Sequence, residues 1–201
     1  MTWTIILFIL GIALGGYQGG RILKKYPRLD KYYDELIKME DEEPERFYDQ
    51  RSYSLMCTLE CISNYEFIKD FCLKNNFKSV FDIGCCFGYQ SEVFYESGIQ
   101  YRGLDDTISK YLWNSELYEY QVGRFPCDVK SRKGELGISV LCLGWNCYLY
   151  EGAKTLDEQF ESLVNQFEYS LIYMQQNLVP LISRHFSKVE HLEDNFYFFK
   201  R

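Results

Sequence analysis

Apolar residues fall into three spacings along the chain. Met1 to Gly20 carries no charged side chain, and Trp3 to Leu14 is an almost unbroken apolar run. Extended through Tyr17 to Gly20, it matches the ~20 residues a helix needs to cross a bilayer. Residues 21–52 are polar and charged. Within them Leu29 to Met39 is predicted as a helix, with Tyr33, Leu36 and Ile37 on one side, running into Glu40, Asp41, Glu42 and Glu43 before Pro44 breaks it. The acidic run reads as a solvated linker. From 53 to 75 the apolar positions Leu55, Leu59, Ile62, Ile68 and Cys72 follow helical spacing, and Asn75 and Asn76 supply the stop.

Beyond residue 76 short apolar runs alternate with amphipathic ones. Strands are predicted at Lys78 to Ile83, Gln100 to Leu104, Tyr120 to Phe125, Ile138 to Leu143 and Ser170 to Met174. Helices are predicted at Tyr89 to Glu96, Thr107 to Leu117, Thr155 to Phe167 and Leu178 to Phe186. Lys188 to Leu192 and Asn195 to Lys200 read as a terminal hairpin around Glu193-Asp194. This alternation predicts an α/β fold: a Rossmann-like, mostly parallel sheet with helices on both faces and a C-terminal antiparallel hairpin, preceded by an N-terminal transmembrane helix. The expected divisions are an anchor at 1–20, a charged linker and short helix at 21–52, a helix packing on the core at 53–76 and the sheet domain at 77–201.

The flank of the first segment sets its orientation. Arg21, Lys24, Lys25 and Arg28 follow it directly. Positive residues stay on the cytoplasmic side, so the expectation is a single-pass membrane protein with a cytoplasmic C-terminal domain. A cleaved signal peptide is the competing reading; Ala13-Leu14-Gly15 suits cleavage, but the basic leading region is missing. Gly11, Gly15 and Gly19 lie on one helical stripe, the kind that lets two membrane helices approach, so a homodimer through this stripe is an open expectation beside the plain frequency of glycine in such helices.

Composition narrows the partners. The 201 residues carry a net charge of −7, the wrong sign for a protein that neutralises phosphates, which disfavours nucleic acid. Of eight cysteines none forms Cys-x-x-Cys, and the only histidines are His185 and His191, so no metal site is expected. Cys57 and Cys61 begin a radical iron–sulfur spacing, but its third position is Asn64. Unpaired thiols in a reducing compartment fit best.

One segment carries candidate chemistry: Val80-Phe81-Asp82-Ile83-Gly84-Cys85-Cys86-Phe87-Gly88-Tyr89-Gln90-Ser91, followed by Tyr101-Arg102-Gly103-Leu104-Asp105-Asp106. It reads strand, glycine turn, helix, strand and a carboxylate at the strand tip, where open α/β sheets bind ligands. Asp105 lies 17 residues after Gly88 and 23 after Asp82, a spacing that suits a ribose-binding acid. A dinucleotide fingerprint needs glycine at 86 and 89, which are Cys and Tyr, and a P-loop needs Gly-Lys-Ser/Thr, which is absent. A glycine turn without a ligand is the remaining packing explanation.

The segment resembles motif I of the class I (Rossmann-like) S-adenosylmethionine-dependent methyltransferases, Asp-x-Gly-x-Gly-x-Gly, with Cys86 in place of the middle glycine. The resemblance spans roughly residues 77–201 in element order. It implies S-adenosylmethionine as cofactor. Asp82 would serve its amino-acid end, the loop Ile83, Gly84, Cys85, Cys86 and Gly88 would wrap its methionine portion, and Asp105 would bind the ribose hydroxyls, with Asp106 sharing or replacing that role. It further implies a methyl acceptor, which the sequence leaves unidentified.

No catalytic residue is assigned. The loop after strand 4, Leu143 to Glu151, lacks the family's Asn/Asp-Pro-Pro-aromatic motif; Trp145, Asn146 and Tyr148 read equally as pocket or core residues. The Lys-Asp-Lys-Glu set of the FtsJ-like enzymes cannot be placed. Methyl transfer needs in-line positioning rather than a general base. Gly137-Ile138-Ser139 begins a nucleophile elbow, but residue 141 is Leu. The expected function is methyl transfer by a membrane-anchored cytoplasmic domain; the alternative is a non-catalytic binding or scaffold protein on the same fold.

Overall fold

The computed structural model describes residues 21–29, 51–105, 118–127, 129–143 and 156–201, and of residues 51–60 the backbone only. The expected anchor over 1–20, most of the predicted helix 29–39, the predicted helix 107–117, Asp106 and the loop residues 144–151 lie outside the described residues. The chain divides into two compact units, Met1–Ile62 and Ser63–Arg201. Of the first, residues 21–29 form two short helical turns.

Helix α1 (Arg51–Asn75) runs from the first unit into the second. Its buried positions Tyr65, Ile68 and Cys72 keep the predicted helical spacing. The stop is a Schellman cap: Asn76 takes φ 62° and the Phe77 N–H reaches back to the Cys72 carbonyl at 2.9 Å.

The second unit is built on one sheet of seven strands. These are β1 (Ser79–Ile83), β2 (Gln100–Asp105), β3 (Glu119–Val122), β4 (Leu136–Val140), β5 (Tyr169–Tyr173), β6 (Lys188–His191) and β7 (Phe196–Lys200). Their order is 3-2-1-4-5-7-6. Strands β1 to β5 pair in parallel, and β7 pairs antiparallel with both β5 and β6. The order reverses between β1 and β4, which places a crevice at their carboxyl ends.

Both faces are covered. On one, Phe67 and Phe71 of α1 meet Phe196 and Phe198 of β7 at centroid distances of 4.5 and 5.3 Å. On the other, α2 (Leu156–Gln166) and the short helix α3 (Val179–Ile182) close a core containing Phe81, Ile83, Leu104, Phe160, Ile172 and Phe199. The predicted helix 178–186 is broken into 3₁₀, α and 3₁₀ turns. Pro180 lies in the first turn of α3, where its missing N–H costs no ladder bond, so it suits a helix that starts at Val179.

Two strands begin earlier than the apolar pattern implies. β4 spans Leu136–Val140 because Leu136 already pairs with Val80 and Tyr169. It ends at Leu141, which takes φ 56°. β3 ends at Val122 rather than running to Phe125. Beneath the sheet's amino end, buried Arg102 donates from Nη1 to both oxygens of the fully buried Glu135 carboxylate at 3.1 and 2.9 Å. Its Nε reaches Glu119 at 3.2 Å, joining β2, β3 and the start of β4.

Candidate cofactor site

The glycine loop leaves β1 at Ile83 and turns over the carboxyl ends of β1 and β2. It needs three positive φ angles in five residues: Gly84 at 83°, Cys86 at 52° and Gly88 at 77°. Glycine adopts this region freely, whereas cysteine does so at a cost. The loop's amides turn inward. Gly84 and Cys85 both donate to the Leu104 carbonyl at 2.8 and 3.1 Å, and Gly88 donates to the Cys85 carbonyl at 2.9 Å. Cys86 donates to Asp105 Oδ2 at 2.7 Å.

Packing explains the small residues. In β2, Gly103 stands in register between Asp82 and Tyr120, all three on one face. A Cβ on Gly103 would lie 2.5 Å from Cys85 Sγ, so the thiol occupies the space that glycine leaves. A Cβ on Gly88 would overlap the Tyr120 phenol, with Cε1 and Cζ at 2.7 Å. Cys85 is buried, which pushes its thiol pKa well up and leaves it a neutral packing group. The six described cysteines that the structure resolves in full are free thiols.

Asp82 is fully buried at the end of β1. Its Oδ2 accepts hydrogen bonds from Tyr101 Oη and Gln90 Nε2, both at 2.7 Å. Its Oδ1, among the described residues, has no partner. Burial raises its pKa to about 6, against the lowering effect of Tyr101, Gln90 and Tyr65; the nearby Asp105 carboxylate adds to the rise. A buried acceptor without a donor is costly unless something fills it.

The residues singled out in the sequence therefore take different places. Asp82 and Asp105 stand at neighbouring strand tips, joined by the loop. Gly84, Cys86 and Gly88 shape the turn. Ile83 contributes backbone only: its side chain lies in the opposite core and its carbonyl accepts from Ser139 Oγ at 2.9 Å. Asp106 lies outside the described residues. Gln90, Tyr101 and Gly103 belong to the quoted segment, but sequence reasoning assigns them no role, and it places Tyr120 only as a strand residue. A signal existed for Gly103, since a lone glycine inside a strand marks a close approach. Tyr101 and Tyr120 are set by strand register, and Gln90 by the 3₁₀ turn that follows the loop. A cleft of about 620 Å³ lined by Cys127, Glu158, Glu161 and Ser162 lies between the β3–β4 connection and α2, and includes none of these residues.

No family model and no curated protein matches the chain. Solved structures do. Human N-acetylserotonin methyltransferase in complex with S-adenosylmethionine aligns with a TM-score of 0.58 and 13% identity, over 92% of this chain and 67% of that one. The bifunctional kinase-methyltransferase WbdD aligns with a TM-score of 0.53 and 14% identity, over 70% of this chain and 41% of that one. The chain thus spans less than half of WbdD. The fold is that of the class I methyltransferases. Within that methyltransferase fold, the paired carboxylates lie beside the point where the strand order reverses.

Proposed function

We propose that this chain binds S-adenosylmethionine at the carboxyl ends of β1 and β2 and transfers its methyl group to an acceptor. The observation that carries this reading is the inward-turned loop between two strand-tip carboxylates. A loop that cradles a diphosphate points its amides at the ligand. Here the amides of Gly84, Cys85, Cys86 and Gly88 are spent on Leu104, Asp105 and Cys85. What the site offers is negative charge, which suits a cationic ligand with hydroxyl groups and repels a phosphate.

The residues fit such a cofactor. Asp82 Oδ1, buried without a partner among the described residues, would take a donor from the ammonium end. Asp105, half-buried at its strand tip, would take the ribose hydroxyls while Cys86 fixes its orientation. When bound, the cofactor supplies an activated methyl on a sulfonium. The chain's contribution is to hold that group in line with an acceptor, a positioning role that needs no general base. The acidic net charge favours a small molecule, a membrane-proximal protein or a lipid-linked acceptor over nucleic acid. The uncharged first twenty residues with their basic flank support a membrane tether that keeps this domain on the cytoplasmic face.

Calorimetric titration with S-adenosylmethionine tests the reading. Micromolar binding that Asp105→Ala abolishes supports it; a folded chain that binds nothing overturns it. Incubation with radiolabelled methyl donor and a lysate then separates an enzyme from a binding protein. Label transferred to an acceptor marks the enzyme.

A further inference from the structure

The Cys85 carbonyl and the Cys86 N–H belong to one peptide plane and point in opposite directions within it. The N–H is aimed at Asp105 Oδ2 at 2.7 Å. The carbonyl accepts two hydrogen bonds, from the Gly88 N–H at 2.9 Å and from Gln90 Nε2 at 2.8 Å. Gln90 is buried, 3% exposed, in the 3₁₀ turn that follows the loop. Its Nε2 also donates to Asp82 Oδ2 at 2.7 Å. The Cys85 carbonyl can only accept, so chemistry fixes which end of the amide faces it.

This plane has an alternative orientation. Rotating it by half a turn changes ψ of Cys85 and carries φ of Cys86 from 52° to a negative value. A cysteine prefers negative φ, whereas glycine accepts either sign. The rotated plane would point a carbonyl oxygen at the Asp105 carboxylate, repelling it and removing the donor that orients it. The chain therefore carries, at the position of a family glycine, a residue whose own preference works against the site.

We infer that Gln90 is a positioning residue that clasps the Cys85–Cys86 peptide in the orientation needed to hold Asp105, and so ties the two carboxylates of the cofactor site together. The inference rests on the cofactor reading above. It assigns Gln90 a task created by Cys86: with glycine at 86 the clasp loses most of its purpose.

A double-mutant cycle on the full-length chain in detergent tests this, read by calorimetry with S-adenosylhomocysteine. Gln90→Met fills the same space without donors. In the natural background it is expected to weaken binding by at least about tenfold; in the Cys86→Gly background the same change is expected to cost at least about threefold less, the remaining loss being the donor to Asp82 that both backgrounds forfeit. An equal loss in both backgrounds overturns the clasp, because a merely structural role for Gln90 would not be relieved at Cys86. Gln90→Asn, one methylene short of both acceptors, is measured alongside and should follow the same pattern should Gln90→Met fail to fold. Exchange of the Cys86 amide hydrogen in the ligand-free protein is the independent readout. Gln90→Met should speed it at least tenfold, and unchanged protection overturns the clasp. If the natural chain binds no S-adenosylhomocysteine yet the amide exchange responds, the cofactor reading fails and the clasp stands.

Discussion

The Cys86 amide nitrogen lies 2.7 Å from Asp105 Oδ2, so the loop cysteine held at a φ of 52° also donates to the carboxylate of the next strand. Asp105 is thereby set before any ligand arrives, and preorganisation of this kind saves ordering cost on binding. Asp105→Ala is expected to weaken S-adenosylmethionine binding at least 100-fold. Asp105→Asn keeps an acceptor for Cys86 but loses the charge, and is expected to weaken it about tenfold. Calorimetry measures both, and thermal melts should show each variant folded.

Asp82 gives stability and affinity opposite pH dependences. Its pKa rises from 3.8 to about 6 on folding, because burial penalises the charged form. Between those values the folded chain holds a proton that the unfolded chain has released, so this group's contribution to stability falls as pH rises from about 4 to about 6 and is flat above. The full effect is up to about 3 kcal/mol, taking about 1.4 kcal/mol per unit. A cationic ligand needs the ionised form, so affinity should climb through the same range. Asp82→Asn should therefore melt higher than the natural chain at pH 8 while losing most cofactor affinity. A variant that loses both would remove Asp82 from the proposed role.

Gly88 is held by contact as well as by conformation. Alanine there would strain a φ of 77° and overlap the Tyr120 phenol. Gly88→Ala is expected to destabilise by about 2–4 kcal/mol in denaturant melts, the sum of an unfavourable backbone and an overpacked contact. Adding Tyr120→Ala relieves the overlap and leaves the strain, so the double variant should lose less than the sum of the two single ones.

Arg102 lies across from the site, at the amino end of the sheet. Its guanidinium is 5.0 Å from the Phe81 ring and paired to a Glu135 side chain with no exposure. Arg102→Met would leave that carboxylate buried and unpaired, and is expected to cost about 3–5 kcal/mol. Arg102→Met with Glu135→Leu should recover much of the loss. Chemical denaturation checks both.

The N-terminal segment has a separate test. The full chain should sediment with membranes after a carbonate wash, and a chain beginning at Arg21 should not. Recovery of the intact full chain in the supernatant would overturn the tether.

Strand identity was legible where apolar runs were strong, as in β1, β2 and β5, because burial on both faces demands apolar side chains there. The loop with Asp82 and Asp105 was legible because turning a chain sharply at a strand tip demands glycine. The ends of β3 and β4 were not. They are set by partners on other strands, and by Leu141 leaving the extended region. The single helix expected at 178–186 failed because apolar spacing says nothing of where the backbone changes between 3₁₀ and α hydrogen bonding.

What the sequence by itself determined, then, is an alternating α/β chain with a glycine turn and two acids 23 residues apart, each near the end of a predicted strand. That much is local, carried by side-chain period and backbone freedom. The tertiary structure alone decided that Gln90 and Tyr101 share one oxygen of Asp82, that Cys85 fills the gap at Gly103, and that Cys86 holds Asp105. The contacts across β1 and β2 depend on strand register, which brings residues 19 apart in sequence within hydrogen-bond reach, and the Gln90 contact depends on the 3₁₀ turn packed beside them. Register is fixed by the packing of the whole sheet rather than by any one segment.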